Sequence, residues 1–357
     1  MDVAVLGATG DVGRQVCTQL VERALLPATS RLQLVGRADG PSARAAYGLR
    51  ADLIDAYDEH APMIDVALDP ADVVADVVVM AAGRTQSPDG ESFERSHLAA
   101  DNADVFHAYA DALAEHGSGS EVVVVVTNPV ELGVAILARR LGRERVIGMG
   151  AWLDTLRFRR EVAVSLGVRR HRVGGFVGGE HGPGAVPLWS TVRVGGLEVG
   201  ERDRALARVR GRRSLDDFPA EVAAAQARLA ELDTADGYRF VDTLPPDLRV
   251  VARPYLTHRS GAKTAAGTAS ATIDLIDTIL DGRDIVVAGQ VALDGDVLLG
   301  GEPVRGVLGV PVVLGPEGWT RVMLDEPAPD EERLLAAVSS SVAAALEPWT
   351  ARREAGA

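Results

Sequence analysis

Residues 3–13 read Val3-Ala4-Val5-Leu6-Gly7-Ala8-Thr9-Gly10-Asp11-Val12-Gly13. Four apolar residues followed by a glycine-rich turn and the first turn of an amphipathic pattern predict a buried strand that feeds directly into a helix. Glycines in such a turn let the backbone double back and approach a pyrophosphate, whose charge the helix N-terminus meets. A glycine triplet alone also suits a purely structural turn, so its position in the chain decides the reading. Working outward, apolar runs at 3–6, 32–35, 77–80, 122–126 and 145–148 alternate with helical patterns at 12–24, 102–116 and 132–141. Runs with no polar alternation fit strands buried on both faces, and alternation with helices fits a parallel sheet with crossover connections. The first strand of such a chain is where a dinucleotide site belongs.

The expected fold is therefore α/β: a Rossmann doubly wound parallel sheet over residues 1–150, holding a dinucleotide through Gly7, Thr9, Gly10, Asp11, Val12 and Gly13. From 151 to 357 the texture changes, and an α+β substrate domain is expected. Helices are predicted at 153–166, 215–232, 264–280 and 331–346, and strands within 173–189, 285–293 and 310–314. The charged, turn-rich segment 195–215 is read as a loop or mobile connection.

The second strand ends in Gly36-Arg37 with no acid at its tip. An acid there would bond the ribose hydroxyls of NAD and repel a 2′-phosphate. Gly36 leaves room for such a phosphate and Arg37 can pair with it, so NADP is favoured over NAD. The alternative keeps Arg37 as a solvated surface arginine and gives the ribose to Asp39.

Bulk properties exclude several classes. The 357 residues are 47% hydrophobic and 25% charged, as in ordinary globular proteins, with only 4% aromatic. A net charge of −14 argues against nucleic acid or an anionic membrane as partner, and an anionic substrate would have to be drawn by local arginines. Cys17 is the only cysteine, so neither an intrachain disulfide nor a cysteine-rich metal site is expected. The N-terminus runs straight into an apolar strand with no signal pattern, and the apolar runs are too short for a membrane span, so a cytoplasmic location is expected. No metal is predicted, because the other histidines lack metal-ligand spacing.

Four further clusters follow in order: Ala82-Gly83 after the third strand, Thr127-Asn128-Pro129 after the fourth, Leu153-Asp154-Thr155-Leu156-Arg157-Phe158-Arg159, and Gly179-Glu180-His181-Gly182 through Val186-Pro187. With the N-terminal glycines and Gly309-Val310-Pro311-Val312-Val313-Leu314-Gly315, they resemble the lactate/malate dehydrogenase family over nearly the whole chain. The resemblance implies an oxidoreductase moving hydride between NAD(P)(H) and a 2-hydroxy acid/2-keto acid pair. His181 would exchange the hydroxyl proton, a task that suits a group titrating near neutrality. Asp154 would hold its tautomer and stabilise the imidazolium. Arg157 would clamp the substrate carboxylate bidentately, and Arg95, from a loop that closes, would polarise the carbonyl. Asn128 would orient the substrate oxygen. Ala82, Gly83, Asn102 and Thr127 would complete the cofactor site.

Departures from the family pattern leave the substrate open. In the loop 84–95, Gln86 falls where lactate enzymes carry glutamine and malate enzymes arginine. The loop is longer than usual, however, and a shifted alignment would let Arg84 reach a second anionic group. Pro183-Gly184 replaces the usual Asp and hydroxyl residue after the histidine. The stretch 215–264 is longer than in relatives and contains Pro245-Pro246 and Pro254, while Thr268 is the candidate for the pocket's far wall. Lactate-like, malate-like and specialised 2-keto acids all remain open. A homodimer or homotetramer is expected. The competing class is a dinucleotide-binding sensor or scaffold without turnover, which would have no need of a proton carrier.

Overall fold

The short valine-rich runs form strands because β-branched side chains pack well on a pleated surface, and the intervening segments form helices that cover both faces of the sheet. The structure, a computed structural model, describes residues 1–85, 95–262 and 264–350, with side chains described except at 95–97 and 350. In the first half these are β1 (Val3–Leu6), α1 (Asp11–Glu22), β2 (Arg31–Val35), α2 (Pro41–Tyr57), β3 (Met63–Ala67), β4 (Val77–Met80), α3 (Arg95–His116), β5 (Val122–Val125), α4 (Val130–Leu141) and β6 (Val146–Gly148). The second half contains α5 (Gly150–Leu166), β7 (Val173–Gly179), β8 (Ala185–Val194), α6 (Val199–Arg210), α7 (Phe218–Glu231), α8 (Thr234–Thr243), α9 (Pro246–Arg259) and α10 (Ala265–Asp281). It closes with β9 (Ile285–Leu299), β10 (Glu302–Gly315), β11 (Gly318–Val322) and α11 (Pro329–Thr350).

The strands join in the order β3-β2-β1-β4-β5-β6-β9-β10-β7-β8, with β11 also paired to β10. From β3 to β6 every pairing is parallel; Val3, for example, lies between Leu32 and Val77. Side chains along β1 alternate between two cores. Val3 and Val5 pack with Val16 and Leu20 of α1, whereas Ala4 and Leu6 pack with Phe106 and Leu113 of α3. This two-sided burial is why the strand reads as an unbroken apolar run. Beyond β6 the pairing becomes antiparallel, beginning where Gly148 faces Gln290 of β9.

The predicted strands and helices of the first half recur within a few residues of their expected bounds, except that α3 begins at Arg95, seven residues before its expected start, and the order β3-β2-β1-β4-β5-β6 is that of a doubly wound sheet. Five elements escaped the sequence reading: α2, the edge strand β3, α8, α9 and β11. One expectation is corrected: 195–215 is not a loop throughout but carries α6. Its acid-and-arginine sequence fully buries no residue, and its apolar face is only the half-buried pair Leu206 and Val209, a weak signal to read. The helix is nevertheless well started, because the Glu198 and Glu201 side chains form a reciprocal capping box.

The carboxyl ends of β1, β2, β4, β5 and β6 lie along one edge of the parallel sheet, where such folds bind ligands. The turns that follow them hold the residues singled out from sequence.

Candidate active site

At the end of β1 the backbone turns through Gly7, at φ +77°, and enters α1 at Gly10. A Cβ on Gly7 would lie 2.7 Å from the Ala81 carbonyl oxygen, and one on Gly13 would lie 2.2 Å from the Gly7 oxygen. Both positions therefore require glycine for close backbone approach. No side chain caps the first turn of α1, so its positive end suits an anion, as a bound pyrophosphate requires. Asp11 and Val12 occupy that first turn. Thr9 reaches Ser42 at the start of α2, with hydroxyls 3.3 Å apart.

Ser42 was not singled out from sequence, although Gly40-Pro41-Ser42 has the composition of a helix start. Its hydroxyl accepts the Arg37 N–H at 3.2 Å, and a Cβ on Gly36 would sit 2.9 Å from that oxygen. Arg37 and Asp39 are both exposed, so each is free to meet an adenosine ribose or its substituents.

At the ends of β4 and β5, Thr127 donates its hydroxyl to the Ala82 carbonyl at 2.9 Å, and Asn102 braces the turn. The fully buried Asn102 amide donates to the carbonyls of Asn128 (2.7 Å) and Arg84 (3.0 Å), while its oxygen accepts the Arg84 N–H at 2.7 Å. A Cβ on Gly83 would collide with both Thr127 and Asn102. The Asn128 side chain stays exposed. Arg84 pairs with Asp101 at 3.0 Å on the surface. Gln86 lies outside the described residues, and Arg95 opens α3 with its side chain outside them.

His181 sits in the turn between β7 and β8. That turn is closed by the Glu180 N–H on the Gly184 carbonyl (3.0 Å) and the Ala185 N–H on the Gly182 carbonyl (3.1 Å). Backbone bonds thus close the segment in which Pro183-Gly184 departs from the family pattern. His181 Nδ1 lies 2.8 Å from Asp154 Oδ2, and Arg157 Nη1 donates to Asp154 Oδ1 at 2.9 Å. One helical turn of α5 therefore presents both partners, as the spacing predicts. The helix itself is pinned, since Thr155 accepts the Val177 N–H of β7 and Gln290 accepts the Ala151 N–H. Gly150 leaves the space that the imidazole occupies; a Cβ there would lie 2.5 Å from its Cγ.

A residue missed from sequence completes this arrangement. Glu131, buried in the first turn of α4, accepts the His181 N–H at 2.7 Å. A carboxylate inside an otherwise apolar helix start gave no local hint of a partner fifty residues away.

The electrostatics follow from burial opposed by pairing. Burial disfavours the charged forms of Asp154 and His181, but each stabilises the other's charge. Helped by Arg157, Asp154 is held below the usual carboxylate range. His181 is raised above its ordinary 6.5, with Arg157 opposing and Glu131 assisting. Burial pushes the Glu131 carboxyl up, against the hydrogen bond from His181. An imidazole so placed can carry a proton in either direction, with an ionised aspartate behind it.

Arg157 also lines a cleft of about 440 Å³ between α5, α9 and the start of α10. Thr268 lies in the first turns of α10 but does not line the cleft; Thr264, Gly267 and Ser270 do. No cluster of three or more potential metal-ligating side chains occurs among the described residues. No described helix is long and apolar enough to cross a membrane.

Residues 1–148 match the family model for the lactate/malate dehydrogenase NAD-binding domain. The chain is 30% identical to a malate dehydrogenase of Halobacterium salinarum over 93% of this chain and 94% of that protein. It is 26% identical to an L-2-hydroxycarboxylate dehydrogenase (NAD(P)(+)) of Methanocaldococcus jannaschii over 93% of each. A malate dehydrogenase of Sulfurisphaera tokodaii is 41% identical, over 36% of this chain and 40% of its own length. In fold, the structure matches a Cryptosporidium parvum lactate dehydrogenase, solved with lactic acid and nicotinamide adenine dinucleotide, with a TM-score of 0.71 at 20% identity over 98% of both chains. These likenesses place the molecule among the nicotinamide-linked oxidoreductases that act on a CH–OH group. The chain belongs to the lactate/malate dehydrogenase family.

Proposed function

We propose that this enzyme interconverts a 2-hydroxy acid and the corresponding 2-keto acid, using NADP(H) in preference to NAD(H). The observation that carries the reading is the continuous chain from His181 through Asp154 to Arg157, at 2.8 and 2.9 Å. In oxidation, His181 takes the hydroxyl proton on Nε2 while Asp154 holds Nδ1–H and stabilises the imidazolium. A nicotinamide cofactor bound at the Gly7–Gly13 turn would supply the hydride chemistry, as acceptor in oxidation and donor in reduction. Arg157 clamps the substrate carboxylate and Asn128 orients the reacting oxygen. Arg95 polarises the carbonyl, and Gln86 faces the substrate from the same loop, both by family resemblance.

The cofactor is held by the Gly7–Gly13 turn, with Ala82, Gly83 and Thr127 beside it and Asn102 as the brace. The NADP preference rests on exposed Arg37, on Ser42 at the start of α2, and on the absence of an acid at the end of β2. Residues 1–150 form the cofactor half in this reading and 151–357 the substrate half, in a cytoplasmic homodimer or homotetramer.

The test is spectrophotometric. Purified protein is mixed with NADPH or NADH and challenged with pyruvate, oxaloacetate and bulkier 2-keto acids. Consumption of cofactor, abolished in His181→Asn with cofactor binding retained, is the expected result. Binding without consumption across the panel would instead identify a sensor on a dehydrogenase scaffold.

A further inference from the structure

The cleft beside Arg157 has more positive charge than a monocarboxylate needs. Four of its lining residues are arginines, Arg157, Arg160, Arg170 and Arg253, and among the described residues none of its lining is acidic. In a chain of net charge −14 this is a local reversal of sign. Clamping one carboxylate occupies one guanidinium, so three are left over along the path beyond it.

Two of those three, Arg160 and Arg253, are held in place. Glu161 lies buried behind the wall, where it accepts from Arg160 Nη2 at 2.7 Å and from Arg253 Nε at 3.2 Å, and it also pairs with Arg249 Nε at 3.0 Å. Asp242 takes Arg253 Nη2 at 3.0 Å. Glu161 and Asp242 therefore steady two of the lining guanidiniums, together with Arg249 behind the wall. Arg170 makes no ion pair among the described residues, and its charge bears on neighbouring Arg159, whose proton affinity it lowers along with burial. The opposite wall is also tied down, since Arg23, just past the end of α1, donates to Ser270 in α10 at 3.2 Å. Guanidiniums oriented in advance lose little further freedom on meeting an anion, and carboxylate is the shape they fit. The cleft is also roomy, because a three-carbon 2-keto acid would fill only a small part of 440 Å³.

We infer that this cleft seats the tail of an elongated 2-keto acid bearing a second anionic group at its far end, read by Arg253 with Arg160 and Arg170. The inference rests on the dehydrogenase reading above and narrows its substrate class. Selection operates at the cleft wall formed by α5 and α9.

The experiment compares pairs of 2-keto acids that differ only in a terminal carboxylate or methyl: 2-oxoadipate with 2-oxohexanoate, and 2-oxoglutarate with 2-oxopentanoate. In the wild-type enzyme kcat/KM should favour the dianion of each pair at least tenfold, with the ratio falling as ionic strength rises. Arg253→Gln should reduce that ratio at least tenfold, mainly through KM of the dianion, and Arg253→Lys should recover part of it. A wild-type ratio at or below one would overturn the inference, and this comparison needs no variant to fold. Equal losses for both members of a pair in Arg253→Gln would also overturn it. Turnover of neutral-tailed acids alone would leave the dehydrogenase reading standing and remove the cleft's role. No cofactor consumption with any acid would remove both.

Discussion

The backbone N–H of His181 donates to the buried carboxylate of Glu131 at 2.7 Å, which ties the turn carrying the imidazole to the first turn of α4. Two regions far apart in sequence are thereby held in one register, with the proton carrier on one side and the end of β5 with Asn128 on the other. Replacing Glu131 by leucine would leave a buried N–H without an acceptor, which costs roughly 1–3 kcal/mol. Glu131→Gln keeps an acceptor and should cost less. Urea denaturation of both variants checks this order; a leucine variant as stable as wild type would show that the bond is not needed.

Asp154→Asn should retain cofactor binding while turnover falls by roughly 10²–10⁴-fold, because the amide neither fixes the tautomer nor stabilises the imidazolium. Steady-state rates and cofactor titration on the same preparation separate the two effects. Near-normal turnover in this variant would remove Asp154 from the relay.

The raised proton affinity of His181 sets a pH dependence with a definite sign. Reduction needs the imidazolium, so kcat/KM for the 2-keto acid should hold at low pH and fall as pH rises through a value above 6.5. In Asp154→Asn that fall should move to lower pH. Stability follows the same linkage. The His181 contribution is fully present below its unfolded pKa and lost as pH rises through its folded one. For Asp154, held low, the contribution is present above the unfolded pKa and lost as pH falls through the folded one. Denaturation midpoints across pH should therefore be highest between the two, and a profile unchanged by Asp154→Asn would contradict the coupling.

Arg37→Ala should weaken NADPH at least tenfold more than NADH, since only the former presents a 2′-phosphate to the guanidinium. Fluorescence titration with each cofactor measures it. Equal losses for both would return Arg37 to the solvated surface.

Gly150→Ala introduces a Cβ 2.5 Å from the His181 ring, too close for the present packing. The expected result is a loss of about 1–3 kcal/mol of stability together with reduced turnover, as the imidazole is displaced from Asp154. Thermal unfolding and activity together test it, and an unaffected variant would show that the turn between β7 and β8 yields freely.

The chain itself settled what depends on near neighbours. The run from Val3 to Gly13 specifies strand, turn and helix, because each choice there is a local matter of burial, backbone freedom and periodicity. Asp154 and Arg157 share a face because three residues make nearly one helical turn. Local reading failed where the signal was weak: α6 offers only the half-buried pair Leu206 and Val209 to the core, and β3 is an edge strand whose outer residues stay wet. Tertiary structure alone decided that Glu131 anchors His181, that Thr9 reaches Ser42, and that Arg160, Arg170 and Arg253 converge on the cleft of Arg157. Each of these depends on how helices pack across the sheet, which brings together charges and hydrogen-bonding groups that periodicity along the chain cannot pair.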